Sequence, residues 1–250
     1  MKIQGFGCSD VGRVREENQD SLLVDDELGL FLVADGMGGH LGGKTASTMA
    51  IDLIREGTLR ELEEMKRAAG ATPMESSVVP RILVEVLRET CRGIYDRAAG
   101  DPELQGMGTT LTGCLTLGSR LFLVHVGDSR CYLSRGGALT QLTEDHSLVN
   151  EQMKAGILTA EEAAKSRLRN VITRSVGFQR EVMVDSILLE IEEGDKFLIC
   201  SDGLSNLVPD SDIAAALTTM SLESVPAFMV QLANEGGGDD NITVVVIGVG

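Results

Sequence analysis

Four segments of this chain place a run of apolar residues next to an aspartate that stands beside glycine or a small polar residue. They are LFLVADGMGG at 30–39, LFLVHVGDSR at 121–130, KFLICSDGLS at 196–205 and, in mirror order, GGGDDNITVVV at 236–246. The segment REENQDS at 15–21 adds a further acidic group. Such apolar runs are typical of buried strands, so the aspartates are expected where those strands emerge. Carboxylates gathered at strand ends are stable only if positive charge lies among them.

A pair of divalent metal ions is the positive charge that fits these residues best. The candidate ligands are carboxylate and carbonyl oxygens with no cysteine and little histidine, which suits Mg²⁺ or Mn²⁺ and disfavours zinc or copper. Two such ions lower the pKa of a water held between them, while a neighbouring arginine binds phosphoryl oxygens. Arg15, in REENQDS, is the candidate arginine, and an ordinary surface ion pair is its alternative role. The residues therefore predict metal-dependent phosphate chemistry.

Length, charge and cysteine usage narrow the class of protein. The chain has 250 residues, and we expect residues 1–250 to form a single domain. The formal net charge of −16 argues against nucleic acid or an anionic membrane as the main partner. Without an apolar run of roughly 20 residues or a signal-peptide pattern, a cytoplasmic location is expected. Five widely spaced cysteines without a C-x-x-C motif predict reduced, buried thiols.

Apolar periodicity predicts strands and helices that alternate in groups along the chain. Helical spacing of apolar residues runs from Ala46 to Ile54 and from Val78 to Tyr95, with a Gly, Thr, Pro and Ser loop near 69–77 between them. Strands are predicted at 2–8, 21–25, 29–34, 182–191, 195–200 and 242–249, and further helices around 210–217 and 222–234. Hairpin strands with paired helices between them favour an antiparallel α+β sandwich.

Two central segments have patterns of their own. Residues 109–143 are β-rich runs broken by turn sequences, which predicts an antiparallel meander. Residues 147–180 are polar, partly helical in pattern and without a strong apolar stripe. We therefore expect residues 147–180 to form a surface excursion rather than part of the core.

The acidic segments belong to an ordered set. Along the chain stand REENQDS, LFLVADGMGG, GTTLTG (108–113), HVGDSRCYL, LTEDHSLV (142–149), LICSDGLSN and DDNITVVV. Together they resemble the metal-dependent phosphatases of the protein phosphatase 2C type in their compact bacterial form, over essentially the whole chain. The resemblance implies a four-layer αββα sandwich, with two central antiparallel β-sheets flanked by pairs of helices. It also implies that residues 147–180 form a flap subdomain beside the active site.

The resemblance assigns roles to individual residues. It implies two Mn²⁺ or Mg²⁺ ions, with a third, weaker ion in some bacterial relatives. Asp35 matches the aspartate that bridges both metals, and Gly36 matches a carbonyl ligand. Asp128 matches a ligand of the third ion, and a purely structural turn is its alternative role. The remaining metal-ligand positions match Asp20, Asp202 and Asp240, and the phosphate-binding positions match Arg15 and Asn241, of which Arg15 is also expected to be catalytic.

Two positions depart from the family pattern. Gln19 stands where glutamate is frequent, and a neutral amide can still accept a hydrogen bond from a metal-bound water. Met37 replaces the histidine that eukaryotic relatives carry as a proposed general acid. His40 is a candidate catalytic acid because its ordinary pKa of about 6.5 suits proton donation, and a plain loop histidine is the alternative. We expect His146 to brace the turn before the flap, with proton donation as its alternative role, and His125 to be a hydrogen-bonded core histidine.

These features predict a Mn²⁺- or Mg²⁺-dependent serine/threonine protein phosphatase in which a metal-bridging water attacks phosphorus directly. The expected partners are phosphorylated substrates of a serine/threonine kinase, and a monomer is expected. A pseudophosphatase that binds without catalysis is one alternative, although the aspartate set is complete. A hydrolase of small phosphate esters is the other, and the absence of Trp with only two Tyr provides little stacking surface for an enclosed pocket.

Overall fold

The structure is a computed structural model that describes residues 1–69 and 79–250, without the side chains of His40, Ala69, Val79, Pro80 and Ala164. The strands are β1 (Ile3–Asp10), β2 (Asp20–Asp25), β3 (Leu30–Met37), β4 (Gly108–Thr109), β5 (Leu111–Leu117), β6 (Arg120–Val126), β7 (Arg130–Arg135), β8 (Ala138–Gln141), β9 (Asp185–Glu190), β10 (Lys196–Cys200) and β11 (Ile242–Val249). The α-helices are α1 (Gly39–Ala69), α2 (Val79–Ala99), α3 (Leu148–Lys154), α4 (Ala160–Ala164), α5 (Asp202–Ser205), α6 (Asp210–Thr219) and α7 (Val225–Glu235). Nearly all of the loop predicted near 69–77 lies outside the described residues.

The strands form two antiparallel sheets that pack between two pairs of helices. One sheet has the order β1-β11-β10-β7-β8 and the other the order β2-β3-β5-β6-β9, with β4 paired to β3. Helices α1 and α2 contact the second sheet, whereas α6 and α7 contact the first. The layers therefore follow the predicted four-layer αββα order.

Strand β3 shows why the apolar runs are continuous rather than alternating. Leu32 belongs to a buried cluster with Ile54 of α1, on the helix side of the sheet. Its neighbour Phe31 belongs to a second cluster with Phe197 of β10, between the two sheets. Successive side chains of a strand face opposite sides, and here both sides are buried. Truncation of Phe31 to alanine should cost roughly 3–5 kcal/mol of unfolding free energy.

The prediction of one continuous meander over 109–143 is wrong. Strands β5 and β6 form a hairpin in the second sheet, whereas β7 and β8 form a hairpin in the first. The short turn between β6 and β7 therefore crosses from one sheet to the other. Gly127 begins this turn with a φ of 114°, a conformation that glycine adopts without steric cost.

The prediction that all of 147–180 lies on the surface is also wrong in its second part. Val176 is fully buried in the cluster between the second sheet and its helices. Its backbone exchanges two hydrogen bonds with Thr109, at 2.8 and 3.0 Å. The surface excursion is therefore shorter than predicted, and the segment around Val176 belongs to the body of the fold. In the part of the chain that the structure describes, no helix has the length and apolar character needed to cross a membrane.

Candidate metal centre

Five aspartates lie at one end of the two sheets. Asp20 begins β2 and Asp35 lies near the end of β3, and the two are cross-strand partners. Asp128 follows β6, Asp202 opens α5 directly after β10, and Asp240 precedes β11. All but Asp20 line an open cleft of about 650 Å³. The structure therefore brings together the five carboxylates that the sequence singled out as metal ligands.

Hydroxyl groups fix the two aspartates of the β2–β3 pair. The Ser201 hydroxyl donates to Asp20 Oδ2 at 2.8 Å, and it accepts a hydrogen bond from the Thr243 backbone N–H at 3.0 Å. Thr110 Oγ1 accepts from the Asp35 backbone N–H at 3.0 Å, and the Thr110 N–H donates to the Asp35 carbonyl at 2.8 Å. Residues from both sheets thus determine where the carboxylates lie.

The buried carboxylates of the cluster would be stabilised by a bound cation. Burial, reinforced by neighbouring carboxylates, raises the pKa of Asp20 and of Asp202 to about 6. The same causes raise the pKa of Asp128 to about 8 and that of Asp35 well above its ordinary value. The charges of Asp20, Asp202, Asp128 and Asp240 all contribute to the raised pKa of Asp35. Ionised carboxylates this close repel one another unless positive charge separates them.

The donor atoms fit a hard divalent ion. Asp20 Oδ1 and Asp202 Oδ1 are buried and have no hydrogen-bond partner among the described residues. Unpaired buried carboxylate oxygens are costly, and a bound cation would satisfy them. In the same part of the chain, no three Asp, Glu, His or Cys side chains are gathered tightly enough to hold an ion alone. Backbone carbonyls and waters would complete the coordination, as Mg²⁺ commonly requires.

Gly36 lets the start of α1 approach the carboxylates. A Cβ atom at this position would lie 2.1 Å from the Gly43 carbonyl oxygen and 2.6 Å from that of Gln19. Any other residue would push α1 away from the strand ends. The Gln19 side chain donates a hydrogen bond to the Gly39 carbonyl at 2.9 Å, so this amide holds the start of α1.

Arg15 and Asn241 lie in the same cleft but differ in what they can bind. Arg15 Nη2 donates to Asp240 Oδ2 at 2.7 Å, and the Arg15 side chain is 54% exposed. The Asn241 amide nitrogen donates to the carbonyls of Val11 and Glu17, both at 2.9 Å, and its oxygen accepts from the Gln19 N–H at 2.8 Å. Both of its N–H groups are used, so Asn241 has none for a phosphate. Its contacts instead support a role in holding the loop that carries Arg15.

The three histidines have different surroundings. His40 lies in the first turn of α1 and its side chain is outside the described part, so its role as an acid stays a prediction. His125 is buried and contacts Thr112 Oγ1 at 2.8 Å and the Glu144 carbonyl at 3.0 Å. Burial lowers the pKa of His125 to about 4, so it is a neutral core histidine as predicted. The His146 ring bonds the turn after β6 rather than the turn before the flap, which the sequence predicted it to brace.

Three residues that support the site were not singled out from the sequence. Ser201 and Thr110 orient the aspartates, and Lys44 Nζ donates to the Asp20 carbonyl at 2.7 Å. Ser201 and Thr110 stand inside motifs beside the aspartates, which is a signal that the sequence offered. Lys44 offered no such signal, because its contact depends on how α1 packs on β2.

Comparison with known proteins decides the family. The sequence model described as Protein phosphatase 2C matches residues 12–236. This chain belongs to the protein phosphatase 2C family. Among curated family members, it is 35% identical to the serine/threonine phosphatase stp of Listeria innocua over 243 residues, which cover 96% of this chain and 93% of that protein.

Solved structures of this family share the fold. The crystal structure of the Mycobacterium tuberculosis serine/threonine phosphatase PstP/Ppp matches with a TM-score of 0.88 at 36% identity, over 100% of this chain and 99% of that chain. The catalytic domain of PstP in complex with two manganese ions matches with a TM-score of 0.84 at 36% identity, over 99% of each chain. These matches confirm the predicted α+β sandwich of the protein phosphatase 2C family.

Proposed function

We propose that this protein is a Mn²⁺- or Mg²⁺-dependent phosphatase that hydrolyses phosphoserine and phosphothreonine in proteins. The observation that carries the proposal is the buried aspartate cluster, in which Asp20 Oδ1 and Asp202 Oδ1 lack partners among the described residues. Arg15 lies at the same open cleft and provides a phosphate-binding cation. Membership of the protein phosphatase 2C family and the manganese-bound structure of PstP support the same activity.

The aspartates hold the metal ions in this proposal. Asp20, Asp35, Asp202 and Asp240 would bind two ions together with the Gly36 carbonyl, and a third ion would bind at Asp128 and Asp202. When bound, such ions supply positive charge and a water of lowered pKa for attack on phosphorus. Their charge would also return the aspartates to the ionised form, because an opposite charge lowers the pKa of a carboxyl group.

Arg15 binds the phosphate group of the substrate. Among described residues its ion pair is with Asp240 through one nitrogen, and a guanidinium group has five N–H donors in all. Donors of this kind match the oxygens of a phosphoryl group. The Asn241 side chain fixes the backbone of the loop on either side of Arg15, so the guanidinium starts from a defined position.

The cleft itself fits direct attack by water on a protein substrate. The described residues that line it include no cysteine, serine or histidine that could form a covalent phosphoenzyme. It is an open cleft rather than an enclosed pocket, so a phosphorylated loop of a protein can enter it. We further propose that the protein acts as a cytoplasmic monomer on substrates of a serine/threonine kinase.

Phosphate release from synthetic phosphopeptides tests the proposal. The protein is first stripped with chelator and then assayed on phosphoserine, phosphothreonine and phosphotyrosine peptides, with and without Mn²⁺. We expect Mn²⁺-dependent release from the first two peptides, and loss of that release in Asp35→Asn. Asp239→Asn is the matched control, because this aspartate is exposed and does not line the cleft. Equal activity in excess chelator would contradict the proposal.

A further inference from the structure

The surface excursion closes on itself at His146. The Thr173 N–H donates to the His146 carbonyl at 2.8 Å, and the Leu148 N–H donates to the Val171 carbonyl at 2.8 Å. Ser147 and Ile172 form an isolated antiparallel bridge between these contacts. Residues 147–172 therefore leave and rejoin the body of the protein at one point, and we call them the flap. His146 stands at its neck.

His146 also fixes the turn that carries Asp128. Its backbone N–H donates to the Gly127 carbonyl at 2.7 Å, and its ring Nδ1 accepts from the Gly127 N–H at 3.1 Å. Both backbone groups of Gly127 are thus bonded to one residue. A Cβ atom at Gly127 would lie 2.6 Å from the side chain of Thr110, so this turn has little room to move. Asp128 is the next residue, and its carboxyl group faces the cleft.

The second ring nitrogen of His146 faces an ion pair between Arg174, just after the flap, and Asp185, the first residue of β9. His146 Nε2 lies 3.1 Å from Asp185 Oδ2, and Arg174 Nη1 donates to Asp185 Oδ1 at 2.9 Å. Arg174 Nη1 also lies 3.1 Å from Nε2. Because Nδ1 accepts from Gly127, we assign the proton of the neutral ring to Nε2, which donates it to the Asp185 carboxylate. Arg174 follows Thr173, the residue that closes the neck. One imidazole ring therefore joins Arg174, next to the residue that closes the neck, to the Asp128 turn.

An ion pair between Arg130 and Asp145 fixes the other side of the same turn. Arg130 follows Asp128 by two residues and donates to both carboxylate oxygens of Asp145, at 2.7 to 3.1 Å. Asp145 is the neighbour of His146 in the chain. The backbone of Gly127 and the side chain of Arg130, on either side of Asp128, are therefore bonded to two adjacent residues that directly precede the flap, which makes this turn and the neck one unit.

We propose that His146 is a positioning residue that sets the orientation of the Asp128 carboxylate and couples it to the flap through Asp185 and Arg174. This inference rests on the proposed function, in which Asp128 binds the weaker ion. His146 need not touch substrate or metal. Partners of this indirect kind typically change metal affinity or activity by roughly 10- to 100-fold when they are removed.

His146→Gln removes the acceptor for the Gly127 N–H. The measurements are the dissociation constant of the weakest Mn²⁺ site by isothermal titration calorimetry and the Mn²⁺ concentration that gives half-maximal hydrolysis of p-nitrophenyl phosphate, together with kcat at saturating Mn²⁺. We expect the dissociation constant and that concentration to rise about 10-fold. His146→Asn should rescue most of the loss, because its Oδ1 takes the place of Nδ1 and can accept from Gly127. Lys165→Met is the matched control, since it removes an exposed flap ion pair with Glu161 that does not contact the neck.

A double-mutant cycle separates positioning from general structural damage. In the Asp128→Asn background the carboxylate is already absent, so His146→Gln should add little further effect. Asp185→Asn removes the charge that holds Arg174 while it leaves the Gly127 contacts in place. It should raise the required Mn²⁺ concentration in the same way, and it should add little further effect in the Asp128→Asn background. This variant also tests the proposal if His146→Gln does not fold.

Two results would overturn the inference. In the first, the folded His146 and Asp185 variants require the same Mn²⁺ concentration for half-maximal hydrolysis as Lys165→Met does. In the second, His146→Gln raises the required Mn²⁺ concentration equally whether Asp128 is present or replaced by asparagine, which would indicate a structural role only. Failure of the proposed function looks different, because the unmodified protein would then show no Mn²⁺-dependent hydrolysis at all, and this inference would fall with it.

Discussion

Replacement of Asp202 by asparagine should stabilise the metal-free protein although it removes a metal ligand. The pKa of Asp202 rises from 3.8 to about 6 through burial and the nearby Asp240 carboxylate. At about 1.36 kcal/mol for each pKa unit, ionised Asp202 costs the folded state up to about 3 kcal/mol at neutral pH. Asparagine keeps the shape of the side chain without the charge. For a chain of this size, the midpoint of thermal unfolding should rise by about 6–12 °C if the whole cost is relieved.

The sign of the effect depends on pH in a defined window. The pKa of Asp202 is raised in the folded state, so folding is favoured most below the unfolded value of 3.8 and loses this contribution as pH rises through about 6. The difference between Asp202→Asn and the unmodified protein should therefore be largest above pH 6. It should shrink towards zero well below pH 3.8, where the carboxyl group is protonated in both states.

Thermal unfolding followed by circular dichroism, in chelator and with added Mn²⁺, measures both halves of this prediction. Binding to the folded state alone stabilises the unmodified protein by about 2.7 kcal/mol at 100 times the dissociation constant, and Asp202→Asn should gain much less. Asp239→Asn, next to the cluster but exposed, should behave like the unmodified protein in both conditions. A lower midpoint for metal-free Asp202→Asn, or an undiminished Mn²⁺ effect, would refute the electrostatic reasoning.

Three further predictions concern activity. Asp35→Asn should lose far more turnover at saturating Mn²⁺ than Asp128→Asn, since only Asp35 belongs to the two-ion site, and near-normal turnover in both would contradict the ligand assignment. Arg15→Ala should raise the KM for a phosphopeptide more than it lowers kcat, because it removes ground-state phosphate binding; an unchanged KM would argue against that role. Deletion of 157–168 should change selectivity among phosphopeptides but keep aryl phosphate hydrolysis within about an order of magnitude. If all substrates were affected equally in a folded variant, the flap would have no recognition role.

The gathering of the aspartates could be predicted because it follows from local patterns. Asp20 and Asp35 flank a hairpin, so strand pairing alone brings them together. The aspartates that follow β6 and open α5 stand directly after apolar runs that had to be buried. Most of the candidate site could therefore be predicted from patterns of residues that are close to one another in the sequence.

Other features depend on contacts between distant parts of the chain. Asn241 bonds the backbone of Val11 and Glu17, and no local signal in DDNITVVV indicates that its amide would be occupied. The turn at Gly127 has the sequence of a hairpin but joins two sheets, because packing places β6 and β7 in different layers. Val176 is an apolar residue in a polar segment, and its burial depends on packing against the second sheet, where its backbone pairs with that of Thr109.

Anomalous scattering at the manganese edge, from crystals of this protein grown with Mn²⁺, would locate the bound ions. We expect two strong peaks among Asp20, Asp35, Asp202 and Asp240, and a third, weaker peak beside Asp128. Crystals of Asp239→Asn should give the same peaks, whereas Asp35→Asn should lose both strong ones. Manganese bound elsewhere, with no peak among these carboxylates, would contradict the assignment of this cluster as the catalytic centre.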